Sequence, residues 1–271
     1  MFHTNENLRR SFVKTKEEIQ EIQEIYSKGR CTIECLSIEF KTTTAFLQEI
    51  LPPCFEMPDE PIGYISVSRW QSELCGEYDC GIIAFNCKYQ GMEGTTMLSL
   101  IVSGDLPVVI GREMWGEAKK SGTCMLYKDG QQIYAYAQRN GVRLIEIEAE
   151  IEESLEPLNL ENYDFELKAF PHSTGFGLHK GSCVNVMKNE EKNVIRLKGK
   201  GNIKLKGTNV DPYDLIPITE VREAIYTEGL SNWTISQVDE INIPDDELLP
   251  YIHGQKYDDV RFFRKPKRFE K

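Results

Sequence analysis

Short runs of alternating apolar and polar residues, separated by turn residues, recur from Cys31 to Ile243, and they commit this chain to β structure. The strongest single signal is Arg139-Asn140-Gly141, set between Gln132–Gln138 and Val142–Ile151. Asn-Gly supplies the two left-handed positions that a tight hairpin needs. In the second arm Glu146, Glu148 and Glu150 share one face and Ile145, Ile147, Ala149 and Ile151 the other, so the acidic row reads as a solvated face. Further strands are predicted at 31–40, 62–70, 81–89, 95–102, 123–128, 163–170, 183–187, 193–198 and 234–243. Gly199-Lys200-Gly201-Asn202 reads as a turn, and the lysines from Lys198 to Lys206, alternating with Ile and Leu, as the wet face of the hairpin it joins.

Helices are few. Ile19, Ile22 and Ile25 recur at helical spacing within 15–26, and Thr15 with Glu18 makes a capping box. The narrow stripe suits a surface packing or subunit-contact helix. Thr42-Thr43-Thr44 opens a short helix that Pro52-Pro53 stops, and a helix is also predicted from Ile218 to Gly229. The expected organisation is a helical extension over 1–29, one β-rich domain over 30–260, and a basic tail over 261–271.

A net charge of −11 disfavours nucleic acid and anionic membranes as partners. The first residues, Met1-Phe2-His3-Thr4-Asn5-Glu6-Asn7, form no apolar leader, and no later apolar run approaches ~18 residues, so a cytoplasmic protein is expected. The eight cysteines lack paired metal-ligand spacing and no two of the four histidines lie close together, so neither a metal nor a cofactor is expected. The cysteines read as buried free thiols.

The most unusual stretch is Gly111-Arg112-Glu113-Met114-Trp115-Gly116-Glu117-Ala118-Lys119-Lys120, which follows the apolar run Leu106–Ile110, read as a strand. An amine in water has a pKa of about 10.4, and bringing it to about 6.5 takes ~5 kcal/mol of selective destabilisation of the ammonium. Burial among apolar groups supplies energy on that scale. Successive residues of a strand face opposite ways, so desolvation is given the larger share over the charge of Lys120. An uncharged lysine is a nucleophile toward carbonyl carbon.

This segment resembles the signature of the acetoacetate decarboxylase-like family, Gly-Arg-Glu followed by a lysine pair. The landmarks at 31–53 and Asp211-Pro212-Tyr213-Asp214-Leu215-Ile216-Pro217 resemble the family as well. The resemblance implies an α+β, mainly β fold: an antiparallel β-barrel or cone-like sheet with a few peripheral helices. It also implies a homo-oligomer and a Schiff base on Lys119. Ala118 stands where the family usually has proline. Where the family carries the glutamate of a Tyr-x-Glu stretch this chain has Tyr78-Asp79-Cys80, so Glu77 or Asp79 is the candidate acid. Arg30 is the candidate for the family's early-strand arginine. Lys120, Trp115 and Met114 are candidates to line the pocket or tune the amine, and Arg112 with Glu113 to form a structural pair.

The activity this implies is decarboxylation of a β-keto acid through a Lys119 iminium and enamine. Aldolase, dehydratase or cyclase chemistry on a larger keto acid through the same imine is the alternative, and a non-catalytic ligand-binding barrel is the third reading. A small keto acid is the partner that either enzymatic reading requires.

Overall fold

The computed structural model describes residues 8–263. The first seven residues and 264–271, which hold most of the basic tail, lie outside the described residues. Helix α1 (Lys16–Tyr26) carries the predicted capping box: Thr15 accepts from the Glu18 amide and Glu18 accepts from the Thr15 amide. Its apolar stripe is left open, with Ile19 and Ile25 exposed. The helix predicted after Thr42-Thr43-Thr44 is α2 (Thr44–Ile50), capped by Thr43, which accepts from the Phe46 amide.

The strands are β1 (Gly29–Lys41), β2 (Ile62–Ser72), β3 (Gly76–Tyr89), β4 (Met92–Val102), β5 (Lys119–Ser121), β6 (Thr123–Asp129), β7 (Gln132–Arg139), β8 (Val142–Leu155), β9 (Leu158–Lys168), β10 (Cys183–Leu205) and β11 (Glu220–Glu240). Seven of them, β11-β1-β2-β3-β4-β9-β10, close into a barrel because β10 pairs back onto β11. All contacts in this ring are antiparallel except β4–β9, which meet in parallel at Thr95 and Asp164. The free half of β10 carries β8, β7 and β6 as an antiparallel extension. The Asn-Gly hairpin joins β7 to β8, with φ of 51° at Asn140 and 79° at Gly141.

The barrel is filled by one face of each strand. Leu36, Ile38 and Phe40 of β1 are fully buried against Ile65, Phe85, Phe165 and Tyr226. Each such side chain contributes about 1.5–3 kcal/mol by leaving water. A smaller cluster, Cys31, Trp70, Cys80, Leu100, Val102 and Ala118, packs separately and borders the lysine pair.

Three predicted elements differ. The run Leu106–Ile110 is a helical turn, α3, with Pro107 and Ile110 buried and Leu106 and Val109 exposed. Proline fits the first turn of a helix and would interrupt a strand. A π-turn over Gly111–Trp115 continues α3 directly. Second, the predicted turn at 199–202 lies inside β10, a single strand of 23 residues. Its glycines mark close approach: a Cβ on Gly199 would lie 2.0 Å from the Glu150 carbonyl oxygen, beside a register shift in the β8 pairing. Third, the predicted helix at 218–229 belongs to β11, where Ala224 and Tyr226 point into the barrel and both neighbours are strands. Pairing on two edges overrides the helical propensity of this segment.

The chain after β11 forms α4 (Asp245–Tyr251), a π-turn over Ile252–Lys256 and a 3₁₀ turn over Val260–Phe262. Asp245, Asp246 and Glu247 occupy the first turn of α4, where the helix dipole favours negative charge.

Candidate active site

Strand β5 is only three residues long and lies parallel to β4, with Lys119 opposite Leu100 and Lys120 opposite Ile101. The two lysines therefore face opposite ways, as strand geometry dictates. Both are buried.

Lys119 enters the pocket. Its Nζ lies 2.8 Å from Glu117 Oε2, and the two side chains are 5 % and 4 % exposed. The approach is not aligned as a hydrogen bond, which leaves Glu117 Oε2 without an aligned donor inside the protein. Lys119 Nζ also lies 5.5 Å from the centre of the Trp115 ring and 5.8 Å from that of Tyr78. Trp70 stacks on Tyr78 with ring centres 6.0 Å apart and planes 3° from parallel. These rings, with Trp233, Cys31, Cys80, Ile82, Met97 and Leu100, enclose a cavity of about 40 Å³. A space of that size admits a few waters or a small polar group.

Two glycines allow this packing. The Glu117 amide donates to the Gly111 carbonyl at 2.9 Å, which folds the chain back over Gly111. A Cβ on Gly111 would lie 2.3 Å from both Glu117 Oε2 and Lys119 Cδ. Gly116 has a φ of 86° and presses against Lys168, a position that excludes a side chain on both counts.

The electrostatics correct one expectation. Burial is the largest influence on the Lys119 amine and on its own lowers the pKa, but the opposing influences, led by the Glu117 carboxylate, together hold the amine above the ordinary lysine value. Burial also raises the Cys80 thiol well above its ordinary value, which keeps it neutral and leaves Glu117 as the counter-charge. The resting site is thus an ion pair in an apolar box.

Lys120 sits in a different setting. Its Nζ bonds Asp211 Oδ1 at 2.9 Å and lies 3.4 Å from Asp258 Oδ1. Arg139 joins the same two carboxylates at 2.6 Å each. This is a closed structural network on the far face of β5, and it does not put the Lys120 charge beside Lys119.

Trp115 lines the cavity, whereas Met114 is half-buried and does not line it. Glu77 and Asp79 project from the other side of β3 from Tyr78 and Cys80. Glu77 is exposed with Gln71 Nε2 3.4 Å away, and Asp79 lies 3.5 Å from Arg69. Arg30 is exposed and pairs with Glu73 at 3.2 Å. None of the three reaches Lys119 in this arrangement: Glu77 and Asp79 have the wrong strand parity, and Arg30 is turned toward solvent. Arg112 and Glu113 do not pair with each other. Arg112 Nη1 donates to the carbonyls of Lys256 at 2.7 Å and Lys119 at 3.3 Å, and its guanidinium lies 4.6 Å from the centre of the Tyr257 ring. Glu113 is exposed.

Sequence reasoning missed Glu117, although a residue two before Lys119 shares its face in any extended segment. It also missed the buried groups of β9 and the C-terminal segment. Burial raises the Asp164 carboxyl to about 7, although Thr95 donates to it. Burial also raises Glu166 well above the carboxylate range and lowers Lys256 to about 8. Among the described residues, no group of three or more His, Cys, Asp or Glu side chains is placed to hold a metal ion. Among them too, no helix is long and apolar enough to cross a membrane.

The fold and the site together are a closed β-barrel with a buried lysine–carboxylate pair in an aromatic pocket. Residues 14–242 match the acetoacetate decarboxylase (ADC) family, and the chain belongs to that family of enzymes. It is 23 % identical over 199 residues to the acetoacetate decarboxylase of Ralstonia nicotianae, covering 70 % of this chain and 79 % of that one. In fold it is similar to the acetoacetate decarboxylase of Legionella pneumophila, with a TM-score of 0.66 and 18 % identity over 80 % of this chain and 87 % of the other. It is equally similar, at TM-score 0.66 and 12 % identity, to the enduracididine biosynthesis enzyme MppR complexed with the condensation product of pyruvate and imidazole 4-carboxaldehyde. That match covers 78 % of this chain and 88 % of MppR.

Proposed function

We propose that this chain is a Schiff-base lyase in which Lys119 attacks the ketone of a β-keto acid and Glu117 moves the protons. The observation that carries the reading is the enclosed Lys119–Glu117 pair. Glu117 first takes a proton from the Lys119 ammonium, which frees a nitrogen lone pair. That lone pair forms the bond to the ketone carbon, giving a carbinolamine. Loss of its hydroxyl as water, with the proton returned by Glu117, leaves the iminium. The carbon–carbon bond to the carboxylate then breaks, carbon dioxide departs, and the electron pair moves into the iminium to give an enamine. Protonation at carbon and hydrolysis release the ketone and restore the amine. The aromatic walls favour the step by removing water from the carboxylate that is to be lost.

Borohydride added with acetoacetate tests this reading. A reduced adduct is expected on Lys119, and Lys119→Ala should lose both the adduct and carbon dioxide release by about three orders of magnitude or more. Full activity in Lys119→Ala would eliminate the Schiff base.

A second outcome of the same imine has its own support. Cys80 stands at the acid position of the Tyr-x-Glu stretch, and burial raises its thiol well above the ordinary value, which makes it a poor proton donor, so the enamine must wait for a proton that Glu117 takes up again from water. An enamine that outlives protonation attacks an aldehyde, as an aldolase requires. Adduct formation with pyruvate, and consumption of an added aldehyde without carbon dioxide release, would favour this outcome over decarboxylation.

A further inference from the structure

We infer that Lys256 is a positioning residue for the Lys119 site, acting from a C-terminal segment that lies beyond the family match, which ends at residue 242. The inference rests on the Schiff-base reading for its kinetic consequence and on geometry for its structure.

The segment is anchored in the main core by Leu248 and Ile252, both fully buried, and by Gln255 Nε2, which donates to the Ile50 carbonyl at 2.7 Å. From there Lys256 reaches inward. Its Nζ donates to the carbonyls of Gly116 and Leu167, tying the residue before Glu117 to β9. Its own carbonyl accepts from Arg112 Nη1 at 2.7 Å, and the same nitrogen donates to the Lys119 carbonyl at 3.3 Å. Tyr257 stacks against the Arg112 guanidinium from the next position. Gly116 and Lys119, which bracket Glu117, are therefore both fastened to Lys256, one directly and one through Arg112. The frame closes around the catalytic pair without touching the cavity, which Lys256 and Arg112 do not line.

The frame has a physical purpose. Gly116–Ala118 lies outside regular secondary structure, and β5 holds only three residues, so few ladder bonds fix Glu117 relative to Lys119. The charged amine of Lys256 supplies strong donors where a sheet would supply neighbours. A displacement of about 1 Å at a reacting pair costs about a hundredfold in rate, so loss of this frame should appear in turnover more than in substrate affinity.

The experiment uses the full chain with acetoacetate as probe. Lys256→Met should slow borohydride trapping at saturating acetoacetate by about tenfold or more, with KM within about threefold of wild type, and Lys256→Arg should recover most of the rate. Amide hydrogen exchange over 112–121 should rise by about tenfold in Lys256→Met. A wild-type trapping rate in Lys256→Met, or a rise in KM alone, overturns the inference. Where Lys256→Met fails to fold, Arg112→Lys, which keeps the charge and loses the fork, carries the same expectations. Absence of any adduct in wild type defeats the Schiff-base reading instead, while hydrogen exchange still decides whether the frame exists.

Discussion

The two faces of β5 present the same side chain to opposite designs. On one face Lys119 meets a single carboxylate at 2.8 Å, aromatic walls and a cavity. On the other, Lys120 meets two carboxylates that also share Arg139, with no unpaired oxygen left toward it. A fully satisfied ion network is fixed, because moving any proton leaves a buried charge alone. A lone pair of opposite charges is transferable: passing one proton from amine to carboxylate neutralises both and costs no net charge. Burial alone does not make a lysine reactive. On the proposed reading, the number of partners separates the two lysines.

The contrast breaks most visibly on the saturated side. Lys120→Met leaves Asp211 and Asp258 with Arg139 only, and should cost about 3 kcal/mol of stability in urea melts. The adduct formed per folded molecule should stay within about tenfold of wild type. A large loss of trapping with no loss of stability would place Lys120 in the chemistry and dissolve the distinction. On the other face, Gly111→Ala should lower trapping by about a hundredfold while the melt changes little, since the new methyl group displaces Glu117 and Lys119 themselves.

Glu117→Gln sharpens the same comparison through protonation. With the carboxylate gone, burial loses its main opponent, and the Lys119 pKa should fall below the ordinary lysine value. Labelling of Lys119 by an amine reagent at pH 8 should then exceed that of wild type even as turnover drops. Unchanged labelling would mean that Glu117 does not hold the proton.

A last test concerns an acid with no cation in contact. Asp164 keeps its proton up to about pH 7 in the folded protein and to about 3.8 unfolded. Between those values the native state binds more protons than the unfolded state, so this group lowers stability as pH rises from about 4 to 7. Asp164→Asn should flatten that part of the stability–pH curve, measured by urea melts at stepped pH.

Much of this was legible. The β-rich fold, the Asn140-Gly141 hairpin, the capping box at Thr15 and the opposed lysines all follow from local periodicity, which is why the sequence carries them. Glu117 obeys the same two-residue rule as the lysines and was readable in principle. Other features depend on what lies across the sheet. The acid row Glu146, Glu148, Glu150 and the pair Asp164, Glu166 alternate with apolar residues in the same way, yet Glu148 and Glu150 are exposed and both β9 acids are buried. The difference is that β8 is in the extension and β9 is in the barrel wall, beside the 111–117 turn and Lys256. Nothing local to β10 or β11 announces strands of 23 and 21 residues either, since their length comes from partners distant in sequence.

Closure of the barrel sets an order of events for a growing chain. Gly29 pairs with Trp233 and Lys41 with Glu220, so the first strand of the sheet waits for the last. Gly29 and Trp233 also stand together in the wall around Lys119. The Lys119 amine is therefore enclosed only when the two ends of the sheet meet, and long-range closure of this kind is the slow part of folding. Until residues 221–226 have been synthesised, Leu36, Ile38 and Phe40 have no partner strand on that edge, and apolar surface left open in this way makes an unfinished chain a client for chaperones.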